Sequence, residues 1–253
     1  MDVSKLRYLV PNSFTALSMT LGVVSAYLST QGEFELAAWM ITWGVLLDKL
    51  DGTTARLFKA SSSFGVQFDS FADFIIFGLA PASLYYHWLG GASGAWGVTL
   101  NATIACMYIV ITATRLSFFN VSEPPGGDRY FFGIPTTLSG AILATFYLTC
   151  NMYWPDSSTP EALTDYQQLG LLSLLVLFAI LMVSGFILPK LKPRPSRAVN
   201  IFQFTNVGLA YIFAPLMLFP HYLLSLCLLY VVLGLITGFR EGVGEPDLTT
   251  SEA

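Results

Sequence analysis

Four aspartates stand within 26 residues, Asp48, Asp51, Asp69 and Asp73, in the stretch DKLDGTTARLFKASSSFGVQFDSFAD. Asp48 and Asp51 are three apart and Asp69 and Asp73 four apart, spacings that put each pair on one face of a helix. A short polar turn, Lys59-Ala60-Ser61-Ser62-Ser63, separates the two segments. Antiparallel neighbours would therefore bring all four carboxyls together at one end. Carboxylates so gathered repel one another, and some must take up protons; a bound cation is the alternative. Oxygen donors with no His or Cys nearby suit Mg²⁺, Mn²⁺ or Ca²⁺ rather than zinc. Two such ions about 3.5–4 Å apart serve phosphoryl chemistry well, because they stabilise both the entering and the leaving oxygen. Gly52 and Ala55 leave room beside the acids, and a helical glycine costs about 1 kcal/mol relative to alanine, so Gly52 asks for a reason. Arg56, one turn further, offers a fork of donors where phosphate oxygens would sit.

The elements that must position these residues are membrane helices. The chain has 253 residues, 54% hydrophobic and only 11% charged, against about 25% charged in a soluble domain. A spanning helix needs about 20 mostly apolar residues. Eight runs qualify, near 13–30, 36–54, 66–88, 95–114, 136–154, 167–188, 201–219 and 221–239. The second is the least regular because its end carries acids, and a tight turn at Phe219-Pro220-His221 separates the last two. The expected fold class is an all-α polytopic membrane protein.

With eight spans, all twelve Lys and Arg fall on one side: Lys5 and Arg7, then Lys49, Arg56 and Lys59, then Arg115 and Arg129, then Lys190, Lys192, Arg194 and Arg197, and finally Arg240. The opposite loops hold Glu33, Glu35, Asp156, Glu161 and Asp165. Positive charge marks the cytoplasmic face, so both termini and the aspartates are expected there, in the cell membrane. An interfacial Asp paired with Lys49, Arg56 or Lys59 is commonplace singly. Four at helical spacing are not, and ionisable groups at membrane depth are functional by default. Cys106, Cys150 and Cys227 lie singly in three spans and are expected to be packing residues. Residues 1–240 are read as one membrane domain. Residues 241–253 form an acidic tail expected to be disordered. No nucleic-acid partner is expected.

The run Asp48-x-x-Asp51-Gly52-x-x-Ala55-Arg56, eight residues, then Gly65-x-x-x-Asp69-x-x-x-Asp73 resembles the full signature of the CDP-alcohol phosphotransferase family, with all eight positions filled. The resemblance implies a six-helix membrane core, here about 1–190 with two extra helices at about 201–239, a homodimer, and a CDP-linked lipid held at the cytoplasmic interface. It also implies two divalent ions on Asp48, Asp51, Asp69 and Asp73, with Asp73 as general base toward the acceptor alcohol. Gly52, Ala55, Arg56 and Gly65 would line the CMP and diphosphate site. Pro11-Asn12 and Thr15 resemble the stretch that precedes span 1 in this family, where Asn12 either touches the nucleotide or starts the helix.

Beyond the signature, SFGVQFDSFADFIIFGLAPA (63–82), RLSFFNV (115–121), FFGIP (131–135) and LMVSGF (181–186) are similar to the family's membrane-embedded phosphatidylserine synthases. Together these matches cover roughly the first 190 residues. That likeness implies CDP-diacylglycerol and L-serine as substrates, phosphatidylserine and CMP as products, and Arg115 and Asn120 as acceptor contacts. The branch commonly has Arg-Leu-Ala-Arg-Phe-Asn, and here Phe118 replaces the second arginine. Choline, inositol phosphate, glycerol phosphate or a diacylglycerol as acceptor stays open, as does a divalent-cation transporter. The transporter reading would call for polar residues through the membrane depth, and spans four to eight carry no carboxylate.

Overall fold

The computed structural model describes residues 3–60, 62–90, 97–121, 130–155, 159–160, 163–185, 187–190 and 197–241, with side chains from residue 8 to 236. Eight helical stretches follow in chain order. They are α1 (Val3–Thr30), α2 (Phe34–Leu57), α3 (Ser63–Trp88), α4 (Gly97–Val121), α5 (Thr136–Tyr153), α6 (Asp165–Val183), α7 (Arg197–Phe213) and α8 (Pro220–Glu241). Four of them, over Tyr8–Thr30, Ser63–Trp88, Gly97–Val121 and Asp165–Val183, are long and apolar enough to cross a membrane. The protein is an all-α polytopic membrane protein. Arg129, Lys192, Arg194, Asp156, Glu161 and the tail from residue 242 lie outside the described residues.

Two helix ends differ from expectation. α1 begins ten residues before the expected span, so Pro11 and Asn12 lie inside it rather than at its start. A helix-starting role for Asn12 is thereby excluded. α7 ends at Phe213, and the chain turns through Ala214–Phe219, where Met217 and Phe219 have φ of 54° and 51°. Left-handed residues cannot continue a helix, although the apolar sequence runs on.

The link between the acid-bearing helices is built locally. α2 closes with Lys59 N–H on Arg56 O and Ala60 N–H on Ala55 O, and Lys59 is left-handed at φ 49°. That is a Schellman closure with lysine where glycine is usual. α3 then starts from Ser62, whose Oγ accepts from Gly65 N at 3.0 Å.

α3 is continuous but not uniform. Directly after Asp73 it widens into a π-helical segment, Phe74–Leu79, with Ala80 N–H reaching back to Ile75 O. Nothing in FIIFGL announces this. The Phe77 carbonyl accepts from Tyr108 Oη of α4 at 3.1 Å, and that hydroxyl also meets Ser139 Oγ of α5 at 2.9 Å. Glycines let neighbouring helices close on the segment. A Cβ at Gly22 would lie 2.9 Å from Ile76 Cα, and one at Gly140 would lie 2.8 Å from Phe77 Cδ1. Ile76 and Phe77 are fully buried as a result.

A small antiparallel ribbon ties together the segments that precede α5 and follow α6. β1 (Tyr130–Phe132) pairs with β2 (Ile187–Pro189) in the register Phe131 to Leu188. Gly133 follows at φ 68°, and a Cβ there would collide with the Met182 carbonyl oxygen, so the FFGIP stretch needs its glycine here. α8 packs against α5 and β2. Cys150 and Cys227 join the apolar packing, whereas Cys106 is exposed, contrary to its expected packing role.

Candidate active site

The polar turn between α2 and α3 places their acids side by side. One carboxylate oxygen from each of Asp48, Asp51 and Asp69 lies within 4.8 Å of the others. Asp73 is not one of these three, but its carboxyl is in hydrogen-bond contact with that of Asp48. Asp51 is buried, the other three partly so. An all-oxygen donor set this tight fits hard divalent cations, and four carboxyls from two helices supply enough ligands to share between two of them.

Hydroxyl donors orient the acids. Thr15 Oγ1 of α1 donates to Asp51 Oδ2 at 2.9 Å, and Thr137 Oγ1 of α5 donates to Asp48 Oδ2 at 3.4 Å. Thr15 was among the expected site residues. Thr137 was not, since its place beside Asp48 depends on how α5 packs on α2 and no spacing in the sequence reports it.

The remaining expected residues divide into those near the acids and those apart from them. Gly65 lies beside Asn12, whose Oδ1 would be 3.7 Å from a Cβ there. Gly52 has open space where its Cβ would be, with only Arg56 Nη1 at 4.0 Å. No packing demand explains Gly52, so the gap is available to a ligand. Ala55 lies half-buried on the same helix, and the exposed Arg56 reaches no closer than 3.5 Å to Thr53 Oγ1.

Arg115 is 7% exposed, within electrostatic reach of Asp73, its Cζ 4.7 Å from the centre of the Phe119 ring. Its Nε has no hydrogen-bond partner, an expensive state for a buried donor. Asn120 does not join the acids. It is exposed and bonded to Ser70, with Nδ2 to Oγ at 2.8 Å, beside a 240 Å³ cavity lined in part by Gln67, Phe74 and Ser117. Phe118 is 50% exposed and meets Phe119 edge-on at 5.9 Å.

The sequence profile of CDP-alcohol phosphatidyltransferases matches residues 8–185, which takes in all four aspartates and six of the eight helices. The chain belongs to the CDP-alcohol phosphatidyltransferase family. This removes the transporter reading, and the family's use of divalent metals agrees with the oxygen cluster. The CDP-diacylglycerol–serine O-phosphatidyltransferase of Helicobacter pylori (strain 26695) is 35% identical over 185 residues, 73% of each chain. An enzyme of the same name from Methanocaldococcus jannaschii is 28% identical over 206 residues, 79% of this chain and 83% of its own. The archaetidylserine synthase of Methanothermobacter thermautotrophicus is 28% identical over 183 residues, 72% and 70% of the two chains.

Proposed function

We propose that this transferase moves the phosphatidyl group of CDP-diacylglycerol to the hydroxyl of L-serine, giving phosphatidylserine and CMP. The observation that carries the phosphoryl-transfer chemistry is the convergence of Asp48, Asp51 and Asp69 within 4.8 Å. Likeness to the Helicobacter serine enzyme supports the acceptor.

Held by Asp48, Asp51, Asp69 and Asp73, two divalent ions, Mg²⁺ or Mn²⁺, would supply charge neutralisation for the diphosphate and the departing CMP. Arg56, exposed one turn beyond Asp51 and bonded at 3.5 Å to Thr53 Oγ1, binds a diphosphate oxygen with its guanidinium. Gly52, Ala55 and Gly65 leave the space the nucleotide occupies, and Asn12 and Thr15 border it from α1. The unpartnered Nε of Arg115 faces a demand for an acceptor, which the serine carboxylate meets. Docked there, serine lies beside Asp73. An Asp73 carboxylate oxygen takes the hydroxyl proton as the serine oxygen attacks the lipid-side phosphorus, and the phosphorus–oxygen bond to CMP breaks in line. Positioning and electrostatics do most of the work, as usual in phosphoryl transfer.

The single-sided distribution of Lys and Arg supports a cytoplasmic site and cytoplasmic termini. The family resemblance supports a homodimer, and the signature supports one catalytic unit over residues 1–240. The test is CMP release by purified protein from CDP-diacylglycerol, with serine, choline, inositol phosphate or glycerol phosphate and Mg²⁺ or Mn²⁺. Serine-specific release that EDTA abolishes is expected. Release with another acceptor alone would overturn serine, and release in EDTA would overturn the metal site.

A further inference from the structure

The family profile ends at residue 185, and α7 and α8 lie beyond it. Yet α7 is tied into α2 one turn before the acids. Trp43 Nε1 donates to Ala214 O at 2.7 Å, and Tyr211 Oη donates to Leu46 O at 3.2 Å. The two bonds form an antiparallel pair of rungs, with partners three residues apart on each strand of the contact. Residues so spaced share a helix face, so the two rungs act on one face of α2, a helix that α1 and α5 also pack against. Ala214 stands just past the end of α7, and its carbonyl accepts both from Met217 N–H at 3.1 Å and from Trp43. Leu46 is two residues before Asp48 and five before Asp51. The half-buried Tyr211 hydroxyl is itself within electrostatic reach of both carboxylates. A hydroxyl at this depth must find an acceptor, and the one it has belongs to the acid-bearing helix.

We propose that Tyr211 is a positioning residue for the reaction: through the Leu46 carbonyl it holds α2 in the rotation that presents Asp48 and Asp51 to the metal ions. The helix pair outside the family match thereby completes the site. This rests on the reading that those carboxylates bind divalent cations.

The test compares wild type with Tyr211→Phe, which removes one hydroxyl, and with Trp43→Phe, which removes the other rung. Binding of Mn²⁺ to purified, lipid-substrate-free protein in detergent is followed by the electron paramagnetic resonance of free Mn²⁺. Both variants should bind Mn²⁺ at least fivefold more weakly. The Mn²⁺ concentration for half-maximal CMP release should rise by the same factor, with kcat at saturating Mn²⁺ within about twofold of wild type. Unchanged Mn²⁺ affinity with only a lowered melting temperature would overturn the proposal, since that is what a purely structural contact predicts. Asp51→Ala separates the two levels. If it binds Mn²⁺ like wild type, the metal reading fails; if it loses Mn²⁺ while Tyr211→Phe does not, only the role of Tyr211 fails.

Discussion

Asp73 differs from the other three acids in its company. It touches Asp48 on one side and feels Arg115 on the other, which suits a group that handles a proton next to an anionic substrate. Asp73→Asn keeps the shape and removes the base, so kcat should fall by about 10²- to 10⁴-fold, while equilibrium binding of CDP-diacylglycerol is retained. Near-normal turnover would remove Asp73 as the base. Arg115→Lys keeps charge but loses the planar fork. The KM for serine should rise about tenfold, equivalent to ~1.4 kcal/mol, with the KM for CDP-diacylglycerol unmoved; equal changes in both would speak against a carboxylate contact. At this scale the sequence was informative wherever spacing encodes geometry. The three- and four-residue intervals of the aspartates survive folding because a helix preserves them. Thr137 reaches Asp48 from 89 residues away along the chain and Tyr211 reaches the Leu46 carbonyl from 165, and no local pattern carries that information. Asn120 shows the converse. It lies in a matching motif, yet its amide is turned to Ser70.

Among the elements, the π-helical segment directly follows the acid pair of α3. One extra residue per turn shifts the angular phase of everything that follows, so α3 can aim Asp69 and Asp73 at α2 and still bury Ile76 and Phe77 in the core. Such segments recur at functional sites. Gly22 permits the close approach of α1 to this region, and Gly22→Ala would set a methyl 2.9 Å from Ile76 Cα. Overpacking against backbone costs about 1–3 kcal/mol. The variant should therefore melt earlier in detergent and lose turnover, whereas an unchanged melting temperature would mean that the segment yields freely. Helix existence was legible from the apolar runs: eight spans were expected, and eight helices are present among the described residues, four of them long and apolar enough to cross a membrane. Helix limits were less so. The extension of α1 runs back through Asn12, Pro11, Arg7 and Lys5, which no apolar run marks, whereas the early end of α7 lies in apolar sequence, where composition is the same inside and outside the helix. The π segment was invisible for a related reason: its six residues are as apolar as any α-helical core.

At the scale of the whole chain, the sequence carries its Lys and Arg at alternate ends of the apolar runs, and the four aspartates flank one of those ends, a pattern that predicts a cytoplasmic site. Membrane-impermeant maleimide tests the orientation in intact cells, with Cys106, Cys150 and Cys227 first replaced by alanine. Gln31→Cys, in the exposed turn between α1 and α2, should be labelled, and Lys59→Cys, in the turn between α2 and α3, should not. The reverse pattern would invert the topology. The rungs between α2 and α7 also have a meaning in time. Trp43 and Ala214 are separated by 171 residues of chain, and synthesis proceeds at about 5–20 residues per second. For roughly 10–30 s after Trp43 is made, the helix that carries Asp48 and Asp51 sits in the membrane without its last two fastenings. A newborn chain therefore cannot hold its reaction centre in final register until its closing helices have been delivered, and a ribosome stalled after the six-helix core would leave behind a synthase that has every aspartate and lacks the grip that sets them.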